Sequence, residues 1–428
     1  MYKAVRVALD PTPRQERLLR SHAGAARVAF NKCLAHVRDC LESGEPCGWS
    51  MYSLRSWWNA SKDGLAPWWP KNSKEAYNAG IESLARALDN WSKSAKGRRK
   101  GPKVGFPRFR SRRKATPRFA YTTGSFGPID GDPHALRLPR IGRVHCFENV
   151  SKRVDGRKVT RMTISLKAGR WYASLSVEES ESKTARSRHT DVIGVDLGVK
   201  TLAVLSDGTE VPNPRNYDNN LRRLARAQRT LARRKEGSAG YWRARRRVQR
   251  VHAHIAAQRR DGLDKLALDL VRDHGVVAIE SLNVRGMMAN HRLARSIGDA
   301  GFAMFAGLLE AKAPEHGARI FRADRWYPSS KKCSNCGRVK AKLGLDERTY
   351  VCDGCGLSVD RDLNAAINLR HVAMSAMETL NARGGDVSRS GLKSRTTRTP
   401  VKREPSGGAS RVRLGAGLGN GAMRMTSL

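Results

Sequence analysis

Three acidic residues stand in apolar surroundings, where a lone carboxylate would be costly. Asp196 lies inside the segment VIGVDLGVKT, Glu280 ends the apolar part of GVVAIESLNV, and Asp362 opens the helical pattern DLNAAINLR. A buried, unpaired charge is unfavourable unless a partner or a metal ion compensates it. A helix cap or an ion pair would explain any one of these acids, whereas metal ligation explains all three together. Mg²⁺ ions held by such acids could support phosphodiester hydrolysis.

The eight cysteines divide into a regular set and an irregular one. Two Cys-x2-Cys pairs separated by fifteen residues could present four thiolates to one tetrahedral ion, which is typical of a structural Zn²⁺ site. These cysteines are Cys333, Cys336, Cys352 and Cys355. The remaining ones form no such pairs, and we interpret them as ordinary buried or partly exposed thiols: Cys33, Cys40, Cys47 and Cys146.

Two segments carry an unusual density of positive charge. Residues 93–118 contain twelve Lys or Arg, and residues 90–129 contain no acidic residue. Like charges repel one another unless a polyanion binds them, so this run predicts a phosphate-binding loop rather than a merely solvated surface. Two Arg-coated helical segments, within 221–255, suit a duplex backbone, with a solvated or coiled-coil face as the alternative. The predicted nucleic-acid contacts are Arg98, Arg99, Lys100, Lys103, Arg108, Arg110, Arg112, Arg113, Arg222, Arg226, Arg229, Arg246 and Arg250.

The overall composition agrees with a polyanionic partner. The chain has 428 residues and a formal net charge of +42. An anionic membrane surface is the competing partner, but no segment approaches the roughly 18 uncharged apolar residues of a spanning helix. The N-terminus also lacks the apolar core of a signal peptide. We therefore expect a cytoplasmic, nucleoid-associated protein without a membrane partner, and its oligomeric state stays open.

The candidate residues need elements that position them, and hydropathy patterns predict an α/β multidomain chain. Alternation in residues 3–9, 135–147 and 158–179 predicts the strands of a small β-barrel. Helical periodicity predicts one helix after an N-cap at Thr12 and another from about Lys74 to Trp91. Further along the chain, a buried strand (VIGVD) and a second strand (TLAVLS) precede the Arg-coated helices.

Several segments together resemble the TnpB (OrfB) family of transposon-encoded RNA-guided endonucleases, which is related to type V CRISPR effectors. The segments are IGVDLGVKTLAV, AIESLNV, YPSSKKCSNCG and DRDLNAAINL. The resemblance covers nearly the whole chain, since PTPRQERLLRSHAGAARVAFNKCL is similar to the family's N-terminal helix and GFPRFRSRRK to its basic loop. It implies that Asp196, Glu280 and Asp362 are catalytic and bind Mg²⁺, as two ions. It also implies a guide RNA derived from the transposon end and a double-stranded DNA target.

The same resemblance implies an RNase H-like (RuvC) nuclease domain with an inserted zinc ribbon, an N-terminal wedge β-barrel and a helical recognition lobe. The barrel and the lobe are expected to bind the guide RNA and to recognise a short DNA motif. The expected bounds are 1–11 and 103–187 for the barrel with its basic loop, 12–102 for the recognition domain, 188–332 and 356–380 for the nuclease domain, and 333–355 for the ribbon. Residues 381–428 are expected to form a disordered basic tail.

Alternative functions remain open at this point. A guided DNA-binding repressor that has lost cleavage would not need all three acids. A conventional DNA-joining transposase usually has its acids in the order Asp, Asp, Glu, which differs from the order found here. A compact type V CRISPR effector would share every segment quoted, and only the neighbouring DNA would distinguish it.

Some polar residues near the last acid have two interpretations. By resemblance the family's last acid is Asp362, whereas Asp360 is assigned to the N-cap of the following helix. Arg361 and Asn364 flank the site, and a phosphate contact is a hypothesis for both. Ser329 belongs to the segment before the first cysteine pair, where a purely structural turn is equally compatible with the sequence.

Overall fold

The computed structural model describes residues 2–178, 189–344 and 346–382. The N-terminal half combines a sheet with three long helices. Its strands are β1 (Tyr2–Asp10), β2 (Arg118–Tyr121), β3 (Gly127–Ile129), β4 (Asp132–Leu138), β5 (Gly142–Cys146), β6 (Val159–Lys167) and β7 (Arg170–Glu178). Its helices are α1 (Pro13–Ser43), α2 (Met51–Leu65), α3 (Lys74–Ala95) and the short α4 (Val150–Val154).

The predicted N-terminal helices form, and a glycine lets them pack closely. The Thr12 hydroxyl accepts a hydrogen bond from the Gln15 amide at 3.3 Å, and the Gln15 side chain accepts one from the Thr12 amide at 3.0 Å. This capping box starts α1 where the sequence predicts it. A Cβ placed on Gly80 of α3 would lie 2.0 Å from the Ala26 carbonyl oxygen of α1. Gly80 therefore permits a contact between the two helix backbones that a side chain would block. Helix α2, which lies between α1 and α3 in the sequence, was not predicted.

The N-terminal strands form an open sheet in the order β2-β6-β7-β1-β5-β4-β3. Strand β1 pairs with β7 through Tyr2–Ala8 and with β5 through Leu9 and Asp10. Among the described residues, the edge strands β2 and β3 do not pair with each other, so the predicted barrel is not closed by hydrogen bonds. The sheet packs on α1 and α3 in one hydrophobic core, because both present apolar faces to the same side.

The C-terminal half is built on a second sheet and longer helices. Its strands are β8 (Val192–Leu197), β9 (Thr201–Leu205), β10 (Glu210–Pro212), β11 (Val276–Glu280), β12 (Arg319–Ala323), β13 (Thr349–Val351) and β14 (Ser358–Asp360). Its helices are α5 (Asn216–Asn219), α6 (Leu221–Ala232), α7 (Ala239–Asp273), α8 (Val284–Met287), α9 (Ala294–Ala300), α10 (Phe302–His316) and α11 (Arg361–Ala382).

Five of these strands form a mixed sheet in the order β10-β9-β8-β11-β12. Strands β8, β11 and β12 are parallel, while β9 and β10 are antiparallel to their neighbours. Both faces are covered: Val277 and Ile279 pack in the core formed with α7, α9 and α10, whereas Val276 and Ala278 pack with α11. A strand buried on both faces must be apolar throughout, which explains the uninterrupted VVAI of β11.

Helices α6 and α7 form the predicted Arg-coated hairpin, held by a small core of Leu224, Val251 and Ile255. No helix in the described part of the chain is long and apolar enough to cross a membrane. Of the predicted basic tail, residues 381 and 382 continue α11, and 383–428 lie outside the described residues.

Candidate functional site

The three acidic residues meet at one edge of the five-stranded sheet. Asp196 lies near the end of β8, and Glu280 is the last residue of the parallel neighbour β11. Ile279 pairs with Val195, so the next residue of each strand brings the two acids side by side. Asp362 lies in the first turn of α11, which packs across β8. The fold thus brings together acids from three distant segments.

The acids create a site in which negative charge outweighs positive charge. The pKa of Asp196 is raised well above its ordinary value, first because burial removes the water that would stabilise a carboxylate. The negative charges of Glu280 and Asp362 raise this pKa further, while Arg361 lowers it. Arg348 approaches Asp362 no closer than 3.9 Å. The donor chemistry of this set suits a divalent cation, since hard carboxylate oxygens are the ligands that Mg²⁺ prefers.

Ser329 links Glu280 to the segment that precedes the cysteines. Its hydroxyl donates a hydrogen bond to Glu280 Oε1. The amide of Asn368 on α11 donates to the Ser329 carbonyl at 2.8 Å and to the Lys332 carbonyl at 2.6 Å. This buried network fixes the loop against α11, so Ser329 orients a site acid and does more than form a turn.

Asn364 has a structural position. Its side chain is fully buried, and its amide donates to the Lys332 carbonyl at 2.7 Å. Its carbonyl oxygen accepts a hydrogen bond from the Ser334 amide at 3.0 Å. Both polar ends are therefore used inside the protein, and Asn364 is not available for the phosphate contact considered from the sequence.

Asp360 caps α11. Its Oδ1 accepts hydrogen bonds from the amides of Asp362 at 2.8 Å and Leu363 at 3.1 Å. These are the free amides of a first helical turn, which an Asp N-cap satisfies. The geometry agrees with the separate roles predicted for Asp360 and Asp362.

A cavity of about 170 Å³ adjoins Glu280 and includes residues that the sequence interpretation missed. Its lining includes Asp324 and Arg325, which follow β12 directly beside the end of β11. Trp326, the next residue, is 80% exposed. The position of Asp324 after the strand RIFRA could have revealed it, because neighbouring parallel strands end at one sheet edge.

The four predicted cysteines form one cluster, with their sulfur atoms all within 4.8 Å of one another. Cys333 and Cys355 lie 3.6 Å apart, and Cys336 and Cys352 lie 3.5 Å apart, measured between sulfurs. Thiolates at 2.3 Å from a tetrahedral Zn²⁺ would be separated by about 3.8 Å, so the cluster fits this ion.

The turns around the cysteines favour thiolates. Gly337 and Gly356 both have left-handed backbones, with φ of 77° and 72°, as the predicted tight turns require. Hydrogen bonds from the backbone amides of Gly354 and Cys355 lower the pKa of Cys352 to about 6. Strand β14 belongs to the hairpin next to this cluster and leads directly into α11. The cysteine cluster is therefore connected to the helix that carries Asp362.

The predicted nucleic-acid contacts lie largely on the surface. Eleven of the thirteen side chains are exposed; Arg99 and Arg110 are partly buried. None of the thirteen forms an ion pair with a carboxylate within the described residues. Arg113 of the basic loop lies 5.9 Å from the Trp242 ring of α7, so the loop and the Arg-coated hairpin are neighbours.

Arg110 is an anchor for its loop. Its guanidinium lies 3.7 Å from the Phe30 ring centre and donates to the Ser83 hydroxyl at 2.6 Å. Its backbone amide donates to Asn31 at 2.8 Å. These contacts attach the basic loop to α1 and α3, and they occupy the side chain that was predicted to contact nucleic acid.

Three family models match the chain. A "Probable transposase" model (OrfB of IS605) matches residues 174–291, and a "Cas12f1-like, TNB domain" model matches residues 302–369. A "Helix-turn-helix domain" model of the same OrfB group matches residues 1–45, where the structure has β1 and the single continuous helix α1.

Several relatives align with most of this chain and with most of their own length. A "Putative RNA-guided DNA endonuclease" of Streptomyces pristinaespiralis is 34% identical over 406 residues, which covers 94% of this chain and 96% of the relative. A protein of Mycobacterium tuberculosis with the same description is 35% identical and covers 86% of this chain and 85% of its own. InsQ of Escherichia coli K12, also so described, is 29% identical and covers 94% and 97%.

The solved structures that match are more distant. A Cas12f1 complex with guide RNA and target DNA has a TM-score of 0.48 at 12% identity, and it covers 86% of this chain and 98% of that one. The fold and site define a mixed α/β protein that has an acidic centre and an exposed basic surface. The sequence relatives identify the family, since the chain belongs to the TnpB (OrfB) family.

Proposed function

We propose that this chain is a transposon-associated, RNA-guided DNA endonuclease whose hydrolytic site consists of Asp196, Glu280 and Asp362. The convergence of these three acids at one sheet edge carries the proposal. The relatives described as RNA-guided DNA endonucleases match this chain over nearly their full length, which supports transfer of the same activity.

The site needs a divalent metal, and we propose that the three acids hold two Mg²⁺ ions. When bound, the metal would lower the pKa of a water molecule and neutralise charge on the scissile phosphate. Ser329 holds the Glu280 carboxylate in one orientation through its hydroxyl. Arg361 places positive charge near Asp196, which favours the ionised carboxylate that a metal requires. Asp196 and Glu280 lie at the ends of two adjacent parallel strands. This arrangement supports an RNase H-like (RuvC) identity for the domain.

The basic surface gives the nucleic acids a place to bind. We propose that the loop of residues 93–118 and the hairpin of α6 and α7 contact the backbones of a guide RNA and a target DNA. The thirteen side chains predicted to make these contacts are mostly exposed, and none forms an ion pair with a carboxylate in the described structure. Pairing with the guide would select the target, while the protein recognises duplex shape and a short flanking motif. The N-terminal sheet, as a wedge, and helices α1 to α3, as a recognition lobe, would hold the RNA.

We also propose the domain bounds and the location that the sequence predicts. The four-cysteine cluster would bind one structural Zn²⁺, since four protein ligands leave no position for water. Its attachment to α11 means that the ion would also steady the helix carrying Asp362. A cytoplasmic, nucleoid-associated location would follow from the DNA target.

Two measurements on the full chain test the function. RNA that copurifies with the protein should be one abundant species from the end of the element, and the complex should cut matching DNA only with Mg²⁺. Asp196→Ala should abolish cutting and keep RNA-dependent DNA binding. Binding without cutting by the unaltered chain would instead indicate a guided repressor. RNA from a repeat array would indicate a CRISPR effector.

A further inference from the structure

A second group of metal-binding side chains lies at the end of α1, far in sequence from the four-cysteine cluster. His36 and Cys40 are one turn apart on the same face of α1, a spacing that places both side chains together. Gly44 ends the helix with a left-handed φ of 74°, and the Glu45 amide donates a hydrogen bond to the Cys40 carbonyl at 3.0 Å. This reversal brings Cys47 back beside the helix, and the three ligand atoms lie within 4.8 Å of one another.

The surroundings of this group restrict its side chains. Cys40 is buried, and Cys47 packs against the N-terminal hydrophobic core. The ring of Trp57 on α2 stacks on the ring of His36 at 4.3 Å, with an angle of 4° between them. This stacking restricts rotation of the imidazole, and Cys40 Sγ lies 3.5 Å from its Nδ1 and 3.9 Å from its Nε2.

The distances suit a soft metal ion. Cys40 Sγ lies 3.5 Å from His36 Nδ1. A sulfur and a nitrogen bound to the same tetrahedral Zn²⁺ at about 2.3 and 2.0 Å are separated by about 3.5 Å. Without an ion, the same approach is a weak hydrogen bond between the thiol and the ring nitrogen.

We propose that His36, Cys40 and Cys47 bind a second Zn²⁺ ion, independent of the four-cysteine cluster. Two thiolates and one imidazole occupy three positions of a tetrahedral ion, and a water molecule takes the fourth. The ion would attach the connection between α1 and α2 to the end of α1. These cysteines, interpreted from the sequence as ordinary thiols, would then form a site because the turn at Gly44 brings them together.

The test counts zinc in the full chain after purification with a reductant. Wild type should contain two Zn²⁺ per chain by elemental analysis. Cys47→Ser and His36→Asn should each contain one. When Co²⁺ replaces Zn²⁺, each variant should show weaker sulfur-to-metal absorption than wild type, because only the four-cysteine site remains. Cys33→Ala is the matched control, because Cys33 is a buried α1 cysteine outside the group, and it should retain two.

Other results would overturn the site. An equal number of Zn²⁺ ions in wild type and in Cys47→Ser would show that the group does not bind the ion. A disulfide between Cys40 and Cys47 in the zinc-replete, reduced protein, found by mass spectrometry, would also contradict it. Cys47 lies in a loop and is only half-buried, so Cys47→Ser should fold, and its circular dichroism spectrum verifies this. The zinc count does not depend on nuclease activity, so the two proposals can fail separately.

Discussion

Gly194 of β8 lies against the backbone of Ala366 on α11. A Cβ placed on Gly194 would be 1.9 Å from the Ala366 carbonyl oxygen and 2.7 Å from the Arg370 amide. Only a residue without a side chain permits α11 to pack this closely over the sheet. Because Asp196 is two residues from Gly194 and Asp362 is one turn from Ala366, this contact sets the separation of the two acids.

The first prediction follows from that contact. Gly194→Ala should push α11 away from β8 and reduce DNA cutting by at least 100-fold, since a displacement near 1 Å can cost that much in catalysis. RNA-dependent DNA binding should change far less, because the basic loop lies elsewhere. Cleavage rates and binding isotherms measure both. Gly262→Ala, on α7 with open space around it, is the matched control and should behave as wild type or slightly more stable. Equal cutting by Gly194→Ala and wild type would contradict the packing argument.

The second prediction separates two neighbouring aspartates. Asp360→Asn should retain activity, because an asparagine oxygen can still cap α11. Asp362→Asn should lose nearly all cutting, because it removes a charged metal ligand. Asp360→Ala should lower the free energy of unfolding by about 1 kcal/mol, as lost caps do. Cleavage assays and thermal melts of all three variants measure this. An inactive Asp360→Asn beside an active Asp362→Asn would reverse the two roles.

The third prediction concerns pH. The folded protein raises the pKa of Asp196 above its ordinary value of 3.8, so without a bound cation the folded state holds this proton more tightly than the unfolded chain. This carboxyl therefore favours folding at low pH, and its contribution is lost as the pH rises through the folded-state pKa. In magnesium-free buffer, Asp196→Asn should melt higher than wild type at pH 7, by about 2–4 °C per kcal/mol of removed repulsion.

The difference between Asp196→Asn and wild type should shrink as the pH falls toward 4, because the wild-type carboxyl is then largely protonated in the folded state and partly protonated in the unfolded state. Added Mg²⁺ should stabilise wild type at pH 7 more than it stabilises the variant. Melting curves that coincide at both pH values would show that Asp196 does not experience the burial and repulsion described.

The fourth prediction distinguishes two arginines of the basic loop. Arg108 is exposed, so Arg108→Gln should weaken binding of the copurifying RNA, reduce the slope of log affinity against log salt by about 1, and leave the melting temperature unchanged. Arg110→Gln should instead destabilise the fold by about 1–2 kcal/mol, since its guanidinium contacts Phe30 and Ser83. Salt titrations of binding and thermal melts test the pair. A stable Arg110→Gln with the larger binding defect would contradict the anchor role.

The N-terminal sheet and helices show where sequence patterns lose information. The Thr12 capping box and the alternating strands were predictable because each depends on residues close in sequence. Helix α2 was not predicted, although Leu54 and Trp58 lie one helical turn apart and are both buried, and Ser50 caps its first turn. Whether the sheet closes depends on contacts between distant strands, which hydropathy does not encode.

The sequence by itself determined the chemical groups: the cysteine spacing, the acids Asp196, Glu280 and Asp362, and the density of arginine. Local rules suffice for these, because metal spacing, capping and charge are properties of short segments. Only the tertiary structure decided which groups meet. The hydrogen bond from Ser329 to Glu280 and the packing of α11 on Gly194 join segments that are far apart in the chain. Such contacts form when a folded core repays the entropy of closing long loops, so no single segment predicts them.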